Sequence, residues 1–389
     1  MKKILSLFLS FVLLICCFGN TVFATSINEN EDATLVEHSK YTYPISPTRT
    51  PEIWSLFESH SEMIVACEIP EKILTNLTTQ QLIKTCLDYP LAGDMLFYND
   101  YLTGFEIVKN HHNGLTELYS REDLSANLVM FYDGLSADCE KNQLSSSLMQ
   151  QLFSFTMTKY AIDNNLITPA DAQKILEQCE NILSLLATES DNYKFFEQLS
   201  NELELKLRDV EAVDYRTTGD AYIIADGTIY WFEYTTVETP QGTTVNGYYY
   251  LSDLITSTKT LLQEEMTRIY PNATVLADPT LYYNCHSYAW HSASTSNHVW
   301  IDDPSAYMTD GSYTHIGTIA TGLPYPSGAV RGNRAFYDNI DDSYNHSAVI
   351  YNSTLYTSKW GMGPLTRHAQ AYCPYYYDTT QIKIYSRNY

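Results

Sequence analysis

The chain has 389 residues, of which 46 are acidic and 23 basic, and its formal net charge is −23. This length suits two or three domains with sizeable buried cores. The excess of negative charge argues against nucleic acid or anionic lipid as a stable partner, because both are negatively charged themselves.

The first 24 residues have the pattern of a cleaved signal peptide. Residues 2–3 are lysines, residues 4–18 form an apolar run, and residues 22–24 form a small-residue cleavage site. The apolar run is too short for a stable membrane span. We therefore expect a secreted protein with no stable membrane insertion. Losing the two lysines leaves the mature chain with a charge of −25.

The next two segments differ in their periodicity. Residues 25–50 are polar and aperiodic, which predicts a flexible leader. Residues 51–212 carry helical periodicity, with a capping box at Thr78 and a helix start at Thr168-Pro169. Because no repeat period is visible, we predict an all-α helical domain rather than a solenoid.

The hydrophobic pattern changes after residue 212. Residues 213–276 contain β-branched and aromatic runs, turn signals and then an amphipathic stretch, which together predict a β-hairpin and a connecting helix. Residues 277–389 contain short strand-like runs and a long Gly- and Pro-rich region. Helices followed by strands predict an α+β fold. The sequence leaves open whether the β-hairpin belongs to the domain before it or after it.

Six cysteines remain after the predicted cleavage, with no Cys-x-x-Cys pair and no zinc-ligand spacing. Cys86 and Cys179 lie on apolar helical faces, which predicts buried thiols. An even number of cysteines in an exported chain permits disulfides, and a Cys285–Cys373 bridge is one alternative. We expect no metal and no cofactor. The six are Cys67, Cys86, Cys139, Cys179, Cys285 and Cys373.

Two short segments carry the main functional prediction. In the first, residues 284–290, Asn284 is placed to cap a helix and Cys285 follows it directly. The unpaired N–H groups of a helix start favour a thiolate, which a cysteine nucleophile requires. The second segment, residues 346–351, predicts a buried strand that begins with His346.

A cysteine and a histidine in this order predict acyl-transfer chemistry. The Cys285 thiolate would attack an amide carbonyl, and the His346 imidazolium would protonate the leaving amine. The backbone N–H of Cys285 would contribute to an oxyanion hole. Residues near this predicted site are Asn284, His286 and Trp360. A third polar group would orient the histidine, and its candidates are Ser358, Asn352 and His368.

These segments, together with Ser358-Lys359-Trp360-Gly361, resemble the papain-like superfamily, which includes the NlpC-like cell-wall endopeptidases and the CHAP amidases. The resemblance covers residues 281–389. It implies a C-terminal papain-like (NlpC-like) α+β domain with Cys285 as nucleophile, His346 as base and a polar third residue. The segment departs from the common NlpC form, since Asn284 replaces an acidic residue and His286-Ser287 replace a Ser-Gly pair.

The resemblance implies a substrate with peptide or amide bonds, such as cell-wall peptidoglycan. Other cell-surface glycans or proteins are alternative partners. The helical part resembles domains that precede such modules in secreted proteins of Gram-positive bacteria. The alternative to a cysteine peptidase or amidase is a non-catalytic secreted binding or surface module on a papain-like scaffold. The enzyme hypothesis predicts that Cys285 is alkylated faster than the other thiols, with a pKa below that of free cysteine.

Overall fold

The computed structural model describes residues 40–140, 147–188, 190–208, 222–225, 228–319, 326–339 and 344–388. Within these ranges the chain is a mixed α+β protein with an N-terminal helical region and a C-terminal antiparallel sheet, which confirms the predicted class. The predicted signal peptide (1–24) and most of the predicted leader lie outside the described residues.

The helical region contains a 3-10 helix, Ala92–Phe97, between the α-helices Thr79–Leu87 and Tyr101–Asn110. The predicted capping box is confirmed, because Thr78 accepts from the Gln81 N–H while the Gln81 side chain accepts from the Thr78 N–H. The α-helices are Pro51–Trp54, His60–Ala66, Glu71–Leu74, Thr79–Leu87, Tyr101–Asn110, Asn113–Ser120, Leu124–Glu140, Leu148–Asp163, Pro169–Leu185 and Asp191–Leu207.

The end of the predicted leader is packed against this region. Tyr43 is 3% exposed and its hydroxyl lies 2.9 Å from His112 Nε2, while Ile45 is also buried. The backbone N–H of Tyr41 donates to Thr85 Oγ1 over 3.0 Å. The predicted flexible leader therefore extends too far toward the C-terminus. Two or three apolar side chains between polar ones are too few to give a periodic signal.

A three-stranded antiparallel sheet follows the helices, with β1 at Tyr222–Ala225, β2 at Thr228–Glu238 and β3 at Thr244–Tyr250. The predicted turn at residues 226–227 lies outside the described ranges. A pair of backbone hydrogen bonds joins Tyr248 on β3 to Trp300. This bridge ties the small sheet to the C-terminal region. The predicted connecting helix is present at Thr256–Ile269.

The C-terminal region is built on a seven-stranded antiparallel sheet in the order β4-β9-β8-β7-β6-β10-β5. A short helix, Ser305–Thr309, precedes β5. The strands are β4 (Thr274–Ala277), β5 (Tyr313–Ile319), β6 (Arg334–Asp338), β7 (His346–Ile350), β8 (Leu355–Lys359), β9 (Leu365–Ala369) and β10 (Gln381–Arg387).

Both faces of this sheet are covered. Ala348 and Ile350 on β7 belong to a core shared with the helical region. Val349 points the other way, against a second core that contains Trp290 and Tyr313. Side chains of a strand alternate between its two faces, so each residue of β7 can be assigned to one core or the other. Within the described ranges, no helix is both long and apolar enough to cross a membrane.

A buried polar cluster joins the helical region to the sheet. Asp94 in the 3-10 helix is 2% exposed and accepts hydrogen bonds from His60 Nε2 (2.8 Å) and from the Tyr270 hydroxyl (2.9 Å). His60 Nδ1 lies 3.1 Å from the carbonyl oxygen of Tyr376. Both ring nitrogens of His60 therefore face oxygen atoms, and the two carboxylate oxygens of Asp94 each take part in one buried hydrogen bond.

Asp94→Asn is expected to reduce the free energy of unfolding by about 1–3 kcal/mol, because the amide nitrogen that replaces one carboxylate oxygen cannot accept the buried hydrogen bond made there. Urea denaturation followed by circular dichroism measures this loss. Asp163→Asn is the matched control, since Asp163 is 44% exposed and pairs with Lys159 at the surface. That change should cost less than about 1 kcal/mol. Equal effects of the two substitutions would contradict a structural role for the Asp94 cluster.

Candidate active site

Asn284 caps a short helix, as predicted. Its Oδ1 accepts from the Ser287 N–H (3.0 Å), which is the bond expected of an N-cap residue. Its Nδ2 donates to the carbonyl oxygen of Ile301 (2.8 Å), so this buried side chain also holds the loop that follows. Residues 285–286 are α-helical and continue into a π-helical turn, Ser287–His291. Cys285 is thereby fixed in the first turn of the helix.

The Cys285 side chain is 2% exposed. Burial raises the pKa of its thiol to about 12, although backbone N–H groups of Ser347, His286 and Cys285 itself point at the sulfur and lower the pKa in part. The prediction that Cys285 has a pKa below that of free cysteine is therefore wrong for the buried thiol. The sequence shows the helix start, whereas the desolvation arises from tertiary packing.

The alternative Cys285–Cys373 bridge is not formed. Both thiols are free and buried, as are Cys67, Cys86, Cys139 and Cys179. No group of three or more His, Cys, Asp and Glu side chains among the described residues is arranged to hold a metal ion.

His346 is the first residue of β7 and is completely buried. Its ring stacks on Tyr375 with 3.8 Å between ring centres and meets Tyr337 edge-on at 5.3 Å. Neither ring nitrogen has a hydrogen-bond partner among the described residues. Burial holds the pKa of His346 well below its usual value, so the ring is neutral. Each buried polar atom without a partner costs about 1–3 kcal/mol.

Ser347 connects the two predicted catalytic residues. Its N–H points at the Cys285 sulfur, and its Oγ lies 2.8 Å from His286 Nδ1 and 2.8 Å from Trp290 Nε1. The Cys285 helix therefore lies on the face of the sheet that Ser347 faces. Strand alternation places the His346 ring on the opposite face, in agreement with its aromatic contacts. The sulfur and the imidazole approach the same end of β7, but no hydrogen bond joins them in the described part of the chain.

Ser358 and His368 form a pair of their own. Ser358 Oγ lies 2.7 Å from His368 Nε2 and accepts from Trp360 Nε1 over 3.0 Å. His368 Nδ1 is 2.9 Å from the carbonyl oxygen of Ala369, so Nδ1 donates, Nε2 accepts and the serine hydroxyl is the donor to it. Burial lowers the pKa of His368 to about 4, which keeps its ring neutral.

The remaining predicted positions have structural contacts. His368 lies on β9, whose five residues alternate too little to be recognised as a strand from the sequence. Asn352 is an exposed turn residue whose Oδ1 accepts from the N–H groups of Thr354 and Leu355. Trp360 is buried against Phe97 and Tyr270, with ring centres 5.7 and 4.9 Å apart.

The helical region covers the His346 side of the sheet. The hydroxyl of Tyr375 donates to the carbonyl oxygen of Phe97. The N–H of Met362 donates to the carbonyl oxygen of Tyr98 over 3.3 Å. Gly361 has φ +47°, and a Cβ at this position would lie 2.0 Å from the Tyr98 oxygen, so no other residue fits here. The imidazole is thus enclosed between the sheet and the 3-10 helix.

The sequence interpretation missed Lys359, the last residue of β8. Its side chain is completely buried, and its Nζ donates to the carbonyl oxygens of Thr280 (3.0 Å) and Gly361 (2.6 Å). Burial lowers the pKa of this amine to about 7. The sequence shows only that a lysine ends the strand-like run 355–359, whereas its burial and its neighbours follow from tertiary packing.

Comparisons of the chain with models of known protein families, with curated proteins and with solved structures found no match.

Proposed function

We propose that this protein is a cysteine hydrolase of peptide or amide bonds, with Cys285 as the nucleophile and His346 as the general acid and base. The observation that carries the proposal is the buried imidazole of His346, whose two nitrogens have no partner among the described residues. Buried polar groups in proteins are normally hydrogen-bonded, and exceptions call for an explanation such as a catalytic role. The N–H of the next residue, Ser347, points at the Cys285 sulfur.

The reaction follows from the groups at the site. The Cys285 thiolate attacks the carbonyl carbon, and backbone N–H groups that now face the sulfur stabilise the oxyanion. His346 receives the proton that the thiol loses and gives it to the leaving amine as the C–N bond breaks. It then removes a proton from the water that hydrolyses the thioester and returns it to the departing thiolate. Because the ring now stacks on Tyr375 on the other face of the sheet, it must swing around the start of β7, where His346 is the first residue, to reach the sulfur when substrate binds.

A papain-like domain and a cell-wall substrate are part of the same proposal. The support is the order of the elements: a cysteine in the first turn of a capped helix is followed by an antiparallel sheet with His346 at a strand start. Ser358 and His368 lie on the two strands beyond it. Secretion through the signal peptide at residues 1–24 would bring the protein to peptidoglycan, whose stem peptides are the proposed substrates.

A non-catalytic binding module remains the second candidate, because one observation favours it. Cys285 and His346 are both buried and neutral, and neither is hydrogen-bonded to the other. If the protein is a binding module, the His346 ring stays enclosed by aromatic side chains, and the chain keeps the scaffold of a hydrolase without its activity.

Acyl-enzyme trapping separates the two candidates. The full chain is mixed with a 4-nitrophenyl ester of an N-acetylated amino acid, because this leaving group departs without being protonated. We expect a burst of nitrophenolate and an acyl group on Cys285, located by peptide mass spectrometry. Cys285→Ser should abolish the burst at this position. A chain that acquires no acyl group at Cys285 would favour the binding module.

A further inference from the structure

Lys359 is buried on the same side of the sheet as the proposed nucleophile. Its Nζ donates to the carbonyl oxygens of Thr280 and Gly361 and lies 5.5 Å from the centre of the Tyr283 ring. Tyr283 stands two residues before Cys285. The amine is therefore held close to the segment that carries the thiol.

Ser347 and Lys359 lie at the same end of the β7–β8 pair. Val349 pairs with Thr357 and Ile350 with Tyr356, so Ser347 and Lys359 each lie two residues beyond the Val349–Thr357 pair, at that end. The N–H of Ser347 points at the Cys285 sulfur. The two groups affect each other electrostatically, because a Cys285 thiolate raises the pKa of Lys359 and a Lys359 ammonium lowers that of Cys285.

The hydrogen bonds of Lys359 match a neutral amine. A neutral amine has two N–H bonds and one lone pair, and two carbonyl oxygens accept from this Nζ. An ammonium would carry a third N–H with no acceptor assigned among the described residues. A free lone pair on a buried nitrogen is a proton acceptor.

The charged groups that face the amine are Asp253 and Lys259, and these two already pair with each other at 2.5 Å. Asp253 also accepts from Thr280 Oγ1 and from the N–H of Leu281, each over 2.8 Å. Its carboxylate is therefore committed to other donors. Of the two acidic groups that shift the pKa of Lys359, Asp253 is already paired, which leaves a Cys285 thiolate as the partner for a protonated amine.

We propose that the amine of Lys359 accepts the proton of the Cys285 thiol. The S–H bond breaks, an N–H bond forms on Nζ, and a thiolate–ammonium pair replaces two neutral groups with no change in total charge. This step rests on the proposed hydrolase function and explains how a buried thiol becomes a nucleophile while the His346 ring faces away. The proton then passes from the Lys359 ammonium to His346, which gives it to the leaving amine.

The test is alkylation by iodoacetamide in the Lys359→Met variant, with each cysteine read separately by peptide mass spectrometry. At pH 8 we expect Cys285 labelling to slow by at least about tenfold, the effect of raising its pKa by one unit. Cys373 is an internal reference, because it is equally buried and burial also raises its pKa to about 12. Its rate should stay within about twofold, since no lysine acts on it.

Lys383→Met is the matched control, because Lys383 is 35% exposed and pairs with Asp338 on the same sheet. Lys383→Met should change neither the alkylation rate of Cys285 nor that of Cys373. Unchanged labelling of Cys285 in Lys359→Met would overturn the proposal. A parallel change at Cys285 and Cys373 would overturn it as well, because it would reveal general loosening of the fold.

A second measurement does not depend on folding of the Lys359 variant. In protein labelled with ¹³C-lysine, the Cε signal of Lys359 should titrate near neutral pH, and its midpoint should fall in Cys285→Ser, where no thiolate stabilises the ammonium. A midpoint that does not move would overturn the proposal. If Cys285 is not acylated in the ester assay but its alkylation rate depends on Lys359, the hydrolase function is rejected and the proton transfer is retained.

Discussion

Cys285→Ala is expected to reduce amide hydrolysis by about 10⁴-fold or more, the scale of loss when the nucleophile of an acyl-transfer enzyme is removed. The thiol is the atom that forms the covalent intermediate, so no neighbouring group replaces it. Release of amino groups from purified peptidoglycan, followed with an amine-reactive dye, measures the rate.

Cys373→Ala provides the control for this substitution. Cys373 is also free and completely buried, so it has the same cavity cost as Cys285 but no place in the proposed chemistry. We expect it to lower stability while leaving the rate per folded molecule within about threefold of the wild-type value. Equal rates in the Cys285 and Cys373 variants would contradict the assignment of the nucleophile.

His346→Phe is expected to increase stability and remove activity together. Phenylalanine keeps the stacking on Tyr375 and removes two buried nitrogens that have no partner among the described residues. The free energy of unfolding should therefore rise by at least about 1–3 kcal/mol, the cost of one such nitrogen. Loss of the general acid and base should reduce hydrolysis by about 10²- to 10⁴-fold. Urea denaturation and the peptidoglycan assay measure the two effects.

His368→Phe should have the opposite effect on stability. Both nitrogens of His368 are hydrogen-bonded, to Ser358 Oγ and to the carbonyl oxygen of Ala369. Removing them leaves the Ser358 hydroxyl without its acceptor, so the free energy of unfolding should fall by about 1–3 kcal/mol. If His346→Phe destabilises the fold as much as His368→Phe, then His346 is a bonded core residue and its proposed role is lost.

The local features of the site were predictable from the sequence. An asparagine before Cys285 is sufficient to predict the cap, because N-capping depends on residues within one helical turn. His346 at a strand start follows from the apolar run after it. The α+β order follows in the same way from the change in periodicity along the chain.

The features that depend on tertiary contact were not predictable. The direction of the Cys285 pKa shift is decided by burial under distant segments, which outweighs the helix start. The orientation of His346 depends on which face of the sheet the helical region covers. Lys359 was missed because its proximity to the nucleophile follows from the register of β7 and β8, which no short stretch of sequence encodes.

A double-mutant cycle on Cys285→Ala and His346→Phe, measured as the rate of peptidoglycan hydrolysis, tests most directly whether the two residues form one catalytic unit. If they do, the double variant is no slower than Cys285→Ala alone, because the imidazole has nothing to act on once the sulfur is gone. Losses that multiply in the double variant would mean that the two side chains act independently, which would contradict the proposed mechanism.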